Sequence, residues 1–290
     1  MKTEFTMEEM ELEIEVLSHT FDVVRLVDPI ANLEHKIIDH RFECNNYVCY
    51  DVWGRGHKCD YCVSARCKHD GGRHTKFEFV GDDVYTVVAK PVIVEGRELI
   101  MEIVSNVGDK LMMEALGENG FIDKITAYND TVYRDVLTGC YNRRYLDEQL
   151  FVLCSRYKVK SLTVVMVDLD DFKYVNDTFG HNTGDKALIG MVKKLLKVCE
   201  ENDADFVARY GGDEFVMVLT DKTYSKIEEI LSQIDTTLKI DDADYICSFS
   251  MGVAYSDNNI NVAEDMLALA DKNLYMVKNN GKGHYRIEKT

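Results

Sequence analysis

The sequence predicts an α+β protein that consists of two domains and a connecting helix. Its first part is rich in β-branched and aromatic runs separated by turn residues, which is typical of an antiparallel sheet. From Thr138 onward, helical and strand patterns alternate instead. The 290 residues, 46% hydrophobic and 29% charged, suffice for two globular domains with separate cores. We therefore predict domains at 1–107 and 135–290, joined by a helix at 108–134.

The charge of the chain limits its partners. It carries 34 basic and 51 acidic residues and a net charge of −17. Binding to nucleic acid polymers or to anionic membranes requires a basic surface, so we expect neither. The acidic N-terminus lacks the features of a signal peptide, and no apolar run reaches the roughly 18 residues that span a bilayer. We therefore expect a cytoplasmic protein.

The first domain is predicted to begin with an amphipathic helix over residues 7 to 19, followed by a small antiparallel sheet. The apolar stripe of this helix, which suits packing on a dimer partner, consists of Met7, Met10, Ile14 and Leu17. The predicted strands are FDVVRLVD, KFEFV, DVYTVVAKPVIV and ELIMEIVSNV. Turn residues at 81–83 and 95–97 connect them as hairpins.

Five of the nine cysteines fall within residues 44–67. Because the number is odd and no export signal is present, we do not expect a disulfide framework. Cys59 and Cys62 have the C-x-x-C spacing of a structural zinc site, and Cys49 and Cys67 complete the candidate ligands. Zinc or another thiophilic metal is the preferred interpretation, but an iron–sulfur cluster or a thiol redox switch would use the same residues. Buried cysteines without a function are the remaining alternative. The scattered cysteines, expected to be small buried hydrophobes, are Cys140, Cys154, Cys199 and Cys247.

The segment between the domains carries one apolar stripe at alternating spacings of four and three. The stripe consists of Phe121, Ile125, Tyr128 and Val132. Such a helix is able to pair with its copy in a second chain, or to pack on its own domain. Both interpretations remain open.

The second domain is predicted to alternate helices and strands. Predicted helices cover 141–157, 223–239 and 262–278, and a further helix presents Leu188, Val192, Leu195 and Cys199 on one face. The predicted strands are SLTVVMVDLD, a hairpin of DFVARY and EFVMVL with Gly211 and Gly212 at its tip, and YICSFSMGVAYS.

Two acidic clusters mark a candidate site in this domain. The buried strand VVMVD runs into Asp168, Asp170 and Asp171, and the hairpin tip carries Asp213 and Glu214. Carboxylates at the end of a buried strand are costly unless a cation joins them. If the two strands share a sheet, both clusters face the same space and suit Mg²⁺ or Mn²⁺ ions that activate a hydroxyl. A solvated acidic turn and an ordinary type I′ hairpin turn are the alternatives for each cluster alone.

These motifs resemble the GGDEF family of diguanylate cyclases, named for the residues at 211–215. The resemblance rests on RDVLTGCYNRR (134–144), DLDDFKYVNDTFGHNTGD (168–185), RYGGDEF (209–215), SMGVA (250–254) and ADKNLYMVKNNGKG (270–283). It implies a ferredoxin-like palm, similar to that of adenylyl cyclases and polymerases. The implied reaction joins two GTP molecules into cyclic di-GMP and two pyrophosphates. Because each subunit would bind one GTP, the resemblance also implies a homodimer.

The resemblance implies metal-binding and catalytic roles for the carboxylates. Asp168, the backbone carbonyl of Leu169, Asp213 and Glu214 would bind the metal ions. Asp213 would also be the base for the 3′-hydroxyl, with Glu214 close by.

Substrate-binding residues are implied in the same way. Asn176 and Asp185 would recognise guanine, because a carboxylate accepts its N–H groups and rejects adenine. The residues implied to lie along the triphosphate are Phe172, Lys173, His181, Lys278 and Lys282. Arg209 would contact a phosphate or anchor the hairpin. Asn142, Arg143 and Arg144 are expected to be structural.

Two departures from the family pattern concern regulation and charge. Asn202 stands where many members have the arginine of an R-x-x-D product-inhibition site, with Asp205 at its aspartate. Without a guanidinium, bidentate contact to the product is lost, so we expect weak or absent feedback. Lys282 replaces an arginine of some relatives and keeps the charge.

The N-terminal domain resembles a PAS-like sensor in its β-rich pattern, its size and its position upstream of a cyclase. The expected whole is an active cyclase that this domain controls. The alternative is a catalytically silent receptor for GTP or cyclic di-GMP, although such members usually lose the signature carboxylates. A polymerase-like or adenylyl cyclase-like enzyme would need another base pocket.

Overall fold

The computed structural model describes residues 3–43, 47–54, 59, 62–80, 83–106, 132–154, 159–202, 206–240, 245–257 and 263–290. The chain forms two compact units, Met1–Ala127 and Tyr128–Thr290. Most of the predicted connecting helix, including Phe121, Ile125 and Tyr128, lies outside the described residues.

The N-terminal unit contains a mainly antiparallel sheet and two described helices. Its strands are β1 (Glu4–Phe5), β2 (Val23–Asp28), β3 (Leu33–His35), β4 (Ile37–Ile38), β5 (Arg41–Phe42), β6 (Tyr47–Val48), β7 (His74–Val80), β8 (Asp83–Val94) and β9 (Arg97–Asn106). Its helices are α1 (Met7–Ser18) and α2 (Val63–Asp70), with a 3₁₀ turn at Asp51–Trp53. The sheet order is β1-β8-β9-β2-β3-β6, with β7 also on β8.

Local sequence explains where these elements begin and turn. Thr6 and Glu9 form a capping box at the start of α1, and each side chain bonds the other residue's backbone N–H. The β8–β9 hairpin turns at Glu95 and Gly96, both with positive φ, as a two-residue type I′ loop requires. The stripe of α1 packs within its own unit, with Met10 fully buried. The expectation that this stripe covers a dimer partner is therefore wrong, because the domain's own core already covers it.

The C-terminal unit alternates strands and helices. Its strands are β10 (Leu162–Leu169), β11 (Phe206–Gly211), β12 (Glu214–Thr220), β13 (Thr237–Ile240), β14 (Tyr245–Ser256) and β15 (Tyr285–Lys289). Its described helices are α3 (Arg143–Cys154), α4 (Phe172–Phe179), α5 (His181–Asn202), α6 (Tyr224–Ser232) and α7 (Ala263–Asn279).

The sheet of this unit has the order β11-β12-β10-β14-β13, antiparallel throughout, with β15 parallel to β14. Strand β10 is buried along its whole length, which explains the apolar run from Val164 to Val167. The apolar face of α5 is buried as predicted, and Cys140, Cys199 and Cys247 are buried core residues. The helix predicted at 223–239 ends at Ser232, and Thr237–Ile240 forms the edge strand β13.

Close packing between β14 and α7 explains the glycine of SMGVA. A Cβ on Gly252 would lie 2.1 Å from both the Ala270 carbonyl oxygen and the Leu274 amide nitrogen, so only glycine lets the helix approach. Asn273, which is fully buried, donates to the Val253 carbonyl from the same helix. This packing fixes the position of α7, the helix that carries Lys278.

The start of the unit is tied down by side chains of the first motif. Asn142 Oδ1 accepts the Tyr145 N–H at the start of α3, and its Nδ2 donates to the Val132 carbonyl. Arg143 lies over the Tyr210 ring at 4.3 Å. These contacts are structural, as expected for this segment. Among the described helices, none has the length and apolarity needed to span a membrane.

Candidate active site

The register of the central strands brings the two acidic clusters together. In the β10–β12 ladder, Asp168 is directly opposite Glu214, and Asp213, the residue before Glu214, lies at the hairpin tip. Directly opposed residues in an antiparallel pair lie on the same face of the sheet, and like charges there are destabilising. Asp168 is only 8% exposed. The sheet therefore concentrates negative charge at one buried position, as the sequence predicts.

A lysine from α7 partly balances this charge. Lys278 Nζ lies 2.5 Å from Asp168 Oδ1. Burial, with a smaller contribution from Asp213 and Glu214, nevertheless raises the pKa of Asp168 to about 6, although the Lys278 ammonium opposes this rise. Carboxylates outnumber cations here, so the site favours additional positive charge.

The donor set fits a hard divalent cation. Asp168, Asp213 and Glu214 offer only carboxylate oxygens, which Mg²⁺ and Mn²⁺ prefer. In their present positions, no three His, Cys, Asp or Glu side chains of the described chain form a group that would hold a metal ion. Lys278 is instead the cation at Asp168. The residues thus fit the metal by charge and chemistry.

Asp170 has a role that the sequence did not reveal. It is 3% exposed and accepts hydrogen bonds from Ser248 Oγ at 2.6 Å, Ser250 Oγ at 2.7 Å and the Gly283 N–H at 3.1 Å. These bonds join the end of β10 to β14 and to the loop that carries Lys282. The serines two positions apart in the strand SFS could have indicated this role, because residues two apart face the same side of a strand and can donate to one acceptor.

The start of α4 directly follows the acidic end of β10. Phe172 and Lys173 occupy its first turn, whose backbone N–H groups lack partners within the helix. Asp171, with φ 54°, makes no side-chain cap there. Its carboxylate instead accepts hydrogen bonds from Lys282 Nζ at 2.8 and 2.9 Å, and this contact raises the pKa of Lys282.

The hairpin tip differs from the ordinary turn considered for it. Gly211 pairs with Glu214 across the ladder, and neither Gly211 nor Gly212 has positive φ, so the turn is not type I′. A Cβ on Gly212 would meet nothing within 4 Å. The chain itself therefore does not require glycine at 212, and the position leaves room for a ligand to approach the backbone.

Arg209 anchors this hairpin. Its Nε and Nη2 donate to the Gly212 carbonyl at 3.0 and 2.7 Å, and its Nη1 donates to both carboxylate oxygens of Asp135 at 3.0 and 3.1 Å. All its nitrogens thus bond the protein. This geometry supports the anchoring role rather than the phosphate contact.

The predicted guanine-reading residues lie on the adjoining helices α4 and α5. Asn176 Oδ1 is buried and accepts no hydrogen bond from the described part of the chain. Asp185 is half-buried in the first turns of α5, and His181 is exposed at its start. Asn202, at the other end of α5, donates to the Val198 carbonyl of its own helix at 3.0 Å. Asp205 lies outside the described residues.

Each of the four N-terminal candidate thiols interacts electrostatically with at least one of the others. Burial raises the pKa of Cys49, Cys59 and Cys62, that of Cys62 to about 11, and neighbouring thiols add to the rise for Cys49 and Cys62. The Lys76 ammonium opposes the rise at Cys59 and Cys62. Burial also raises the pKa of Cys67, and Cys62 adds to the rise; this thiol is fully buried and donates to the Ala89 carbonyl at 3.2 Å.

Fold and site define the class of the C-terminal unit. An antiparallel sheet backed by helices, with carboxylates on two neighbouring strands, is the ferredoxin-like palm. A solved structure of the coiled coil and GGDEF domain of DgcB from Caulobacter crescentus, in complex with c-di-GMP, has the same fold. Its TM-score is 0.53 at 24% identity, and the match covers 62% of this chain and 97% of that one.

Residues 132–284, more than half of the chain, match the family model of the diguanylate cyclase GGDEF domain, and the chain belongs to this family. Diguanylate cyclase DosC of Escherichia coli K12 is 35% identical over 165 residues, which cover 53% of this chain and 35% of that protein. Diguanylate cyclase A of Treponema denticola is 32% identical over 165 residues, 53% of this chain and 44% of its own length. The chain thus matches less than half the length of either relative.

Proposed function

We propose that this protein is a diguanylate cyclase, which condenses two GTP molecules into cyclic di-GMP and two pyrophosphates. The observation that carries the proposal is the β10–β12 register, which places Asp168 opposite Glu214 with Asp213 at the adjacent tip. A binding module without chemistry has no need to keep three carboxylates at such a costly position. Membership of the GGDEF family supplies the reaction.

In the proposed reaction, the 3′-oxygen of one GTP attacks the α-phosphorus of the other. A new phosphodiester forms, the bond between α- and β-phosphates breaks, and pyrophosphate leaves with the electron pair. Asp213 takes the hydroxyl proton. Magnesium or manganese ions held by Asp168, Asp213, Glu214 and the Leu169 carbonyl would lower the pKa of the hydroxyl and neutralise the leaving group. A second attack in the opposite sense closes the ring.

The two lysines of the last motif support triphosphate binding. Lys278 now pairs with Asp168, and Lys282 with Asp171. When the triphosphate enters, both ammonium groups exchange a carboxylate for phosphate oxygens, next to the N–H groups of Phe172 and Lys173. His181 lies along the same substrate. Metal ions at the vacated carboxylates would offset the negative charge that this exchange leaves there.

Guanine is assigned to Asn176 and Asp185, which offer acceptors for its N1 and N2 hydrogens. Because each domain would hold one GTP, the active form is a homodimer.

With Asn202 engaged in its own helix, we expect product inhibition at that position to be weak. The free cysteines among the described residues and a GTP substrate support a cytoplasmic location.

The test is product analysis. The full chain, concentrated to favour dimers, is incubated with GTP and Mg²⁺, and products are identified by mass spectrometry. We expect cyclic di-GMP and pyrophosphate in a ratio of one to two, and none from Asp213→Asn. Exposed Asp177→Asn is the matched control and should retain full activity. GTP binding by the wild type without any product would instead support the silent receptor. Turnover of ATP in place of GTP would support an adenylyl cyclase-like enzyme.

We further propose that the N-terminal unit is a PAS-like sensor whose thiols control the cyclase. The antiparallel order β7-β8-β9-β2-β3 supports the assignment, and the grouping of Cys49, Cys59 and Cys62 supports a zinc or redox site. Metal content of the purified protein, compared with Cys59→Ser, distinguishes the two. Loss of zinc supports the metal. Unchanged metal content together with thiols that oxidise reversibly supports the switch. Cys154→Ser, which changes a half-buried free cysteine of the C-terminal unit, is the control.

A further inference from the structure

Helix α5 contains a buried glycine that its own backbone does not require. Gly184 lies near the start of the helix, and its φ is not in the left-handed region. Glycine loses more conformational freedom in a helix than alanine does, so a helix retains it mainly where packing demands it.

The packing demand comes from Asn176 in α4. A Cβ on Gly184 would lie 2.0 Å from Asn176 Oδ1 and 3.0 Å from its Cγ, with Phe172 Cε2 also at 3.0 Å. Atoms in a packed interior do not approach to 2.0 Å without a bond between them. A side chain at 184 and the present position of the Asn176 carboxamide therefore exclude each other.

That carboxamide position is unusual in itself. Asn176 Oδ1 is buried and accepts no hydrogen bond within the described chain. An unpaired buried acceptor costs free energy, so its retention indicates a donor that arrives from outside. Guanine presents N–H donors at N1 and N2, whereas adenine presents an unprotonated N1. Asp185, the second proposed guanine reader, is the residue next to Gly184.

We propose that Gly184 is a positioning residue for base selection. By lacking a side chain, it lets Asn176 remain where Oδ1 is able to accept a guanine N–H, so it contributes to the choice of GTP over ATP. This inference rests on the proposed function, which assigns guanine to Asn176. It adds a determinant that touches neither the phosphates nor the carboxylates of the acidic site.

The same helix provides a matched control. A Cβ on Gly190 would meet only Leu238 Cδ2, at 3.6 Å, which is ordinary van der Waals contact. Gly190→Ala therefore makes the same chemical change in the same helix without displacing Asn176.

The experiment measures binding of 3′-deoxy-GTP and 3′-deoxy-ATP, which lack the attacking hydroxyl and so do not turn over, to the full chain by calorimetry with Mg²⁺. We expect Gly184→Ala to lose about tenfold or more in affinity for the guanine nucleotide and to leave the weaker adenine affinity unchanged. Gly190→Ala should match the wild type for both. A loss of affinity for both nucleotides alike would contradict base selection, as would wild-type affinity and preference in Gly184→Ala.

A second variant guards against misfolding of Gly184→Ala. Asn176→Ala removes the atoms that the new Cβ would approach most closely, so Asn176→Ala/Gly184→Ala should bind the guanine nucleotide as Asn176→Ala alone does. A further tenfold loss in the double variant would overturn the inference. A wild type without preference for guanine would instead overturn the proposed function together with this inference, so the two failures are distinguishable.

Discussion

Each unit buries a cluster of charged groups, but the two clusters are arranged differently. In the N-terminal unit, Arg25 donates from Nε and Nη2 to Glu102, and from Nη1 to Glu34 and the Cys49 carbonyl. Ser64 also donates to Glu102. In the C-terminal unit, Asp168 faces two further carboxylates and is paired with one lysine.

The difference shows how to distinguish a structural charge cluster from a functional one. Arg25 and Glu102 are 5% and 6% exposed, and the guanidinium nitrogens all donate to protein acceptors, so this cluster is closed. The acidic site carries surplus negative charge, and its balancing lysine is 31% exposed. Such a site is open, because a cation or a triphosphate is able to displace the lysine.

The largest expected effect is on catalysis at the open cluster. Asp168→Asn should lower cyclic di-GMP synthesis by about a thousandfold or more, because several kcal/mol of charge stabilisation are lost. The fold should be kept, since the change removes like-charge repulsion across the β10–β12 pair. Initial rates with GTP and circular dichroism measure the two effects. Unchanged rates would show that the acidic register is not catalytic.

The next effect is on stability at the closed cluster. Arg25→Met should destabilise the N-terminal unit by about 3–5 kcal/mol, because it leaves Glu102 buried without its partner. Adding Glu102→Met should recover much of that loss. Urea unfolding of the single and double variants measures the coupling. A double variant no more stable than Arg25→Met alone would argue against a closed ion pair.

The pH dependence of the unfolding free energy reports on the open cluster through the Asp168 carboxyl. Because burial raises the pKa of Asp168 from 3.8 to about 6, the folded state binds its proton more tightly than the unfolded state. The unfolding free energy should therefore fall as pH rises from about 4 to 6, by up to about 2 kcal/mol without divalent metal. Asp168→Asn should remove this contribution. If wild type and variant show the same pH dependence in urea unfolding, the carboxyl does not titrate as described.

The smallest effect concerns the hairpin anchor next to the open cluster. Arg209→Ala should lower the rate by about tenfold to a hundredfold, because the carbonyl of Gly212 and the carboxylate of Asp135 lose their shared partner. Arg209→Lys should not restore the rate, because the lysine ammonium lacks the planar set of donors that the guanidinium offers. Lys226→Ala, which removes only an exposed contact to Glu229, is the control. Full activity in Arg209→Ala would limit this residue to stability.

Much of the C-terminal unit was predictable because its signals are local. Strand β14 matches the predicted run at both ends, as does β8 in the N-terminal unit, since turn residues bound continuous apolar or alternating stretches. The proximity of the two acidic clusters was predictable, because the hairpin and the strand before it were expected to share a sheet. The guanine-reading assignments depended on motif resemblance.

The rest depends on contacts between distant residues, which a sequence pattern does not encode. The helix predicted to continue to residue 239 ends at Ser232. Residues Thr237–Ile240 pair with β14 at the sheet edge, and this pairing is more favourable than continuing the helix. The pairing of Lys278 with Asp168 joins α7 to β10, two elements that are far apart in the sequence. Cys67 has ligand-like spacing, and its thiol also donates to the Ala89 carbonyl, a contact that spacing alone does not predict.

Metal binding tests most directly the claim that one cluster is open and the other closed. Manganese titration of the full chain with 3′-deoxy-GTP, followed by electron paramagnetic resonance, reports bound ions. We predict that Asp168→Asn weakens manganese binding by about a hundredfold or more, whereas Glu34→Gln, which alters the N-terminal cluster, leaves it unchanged. Equal manganese binding by the wild type and Asp168→Asn would contradict the account.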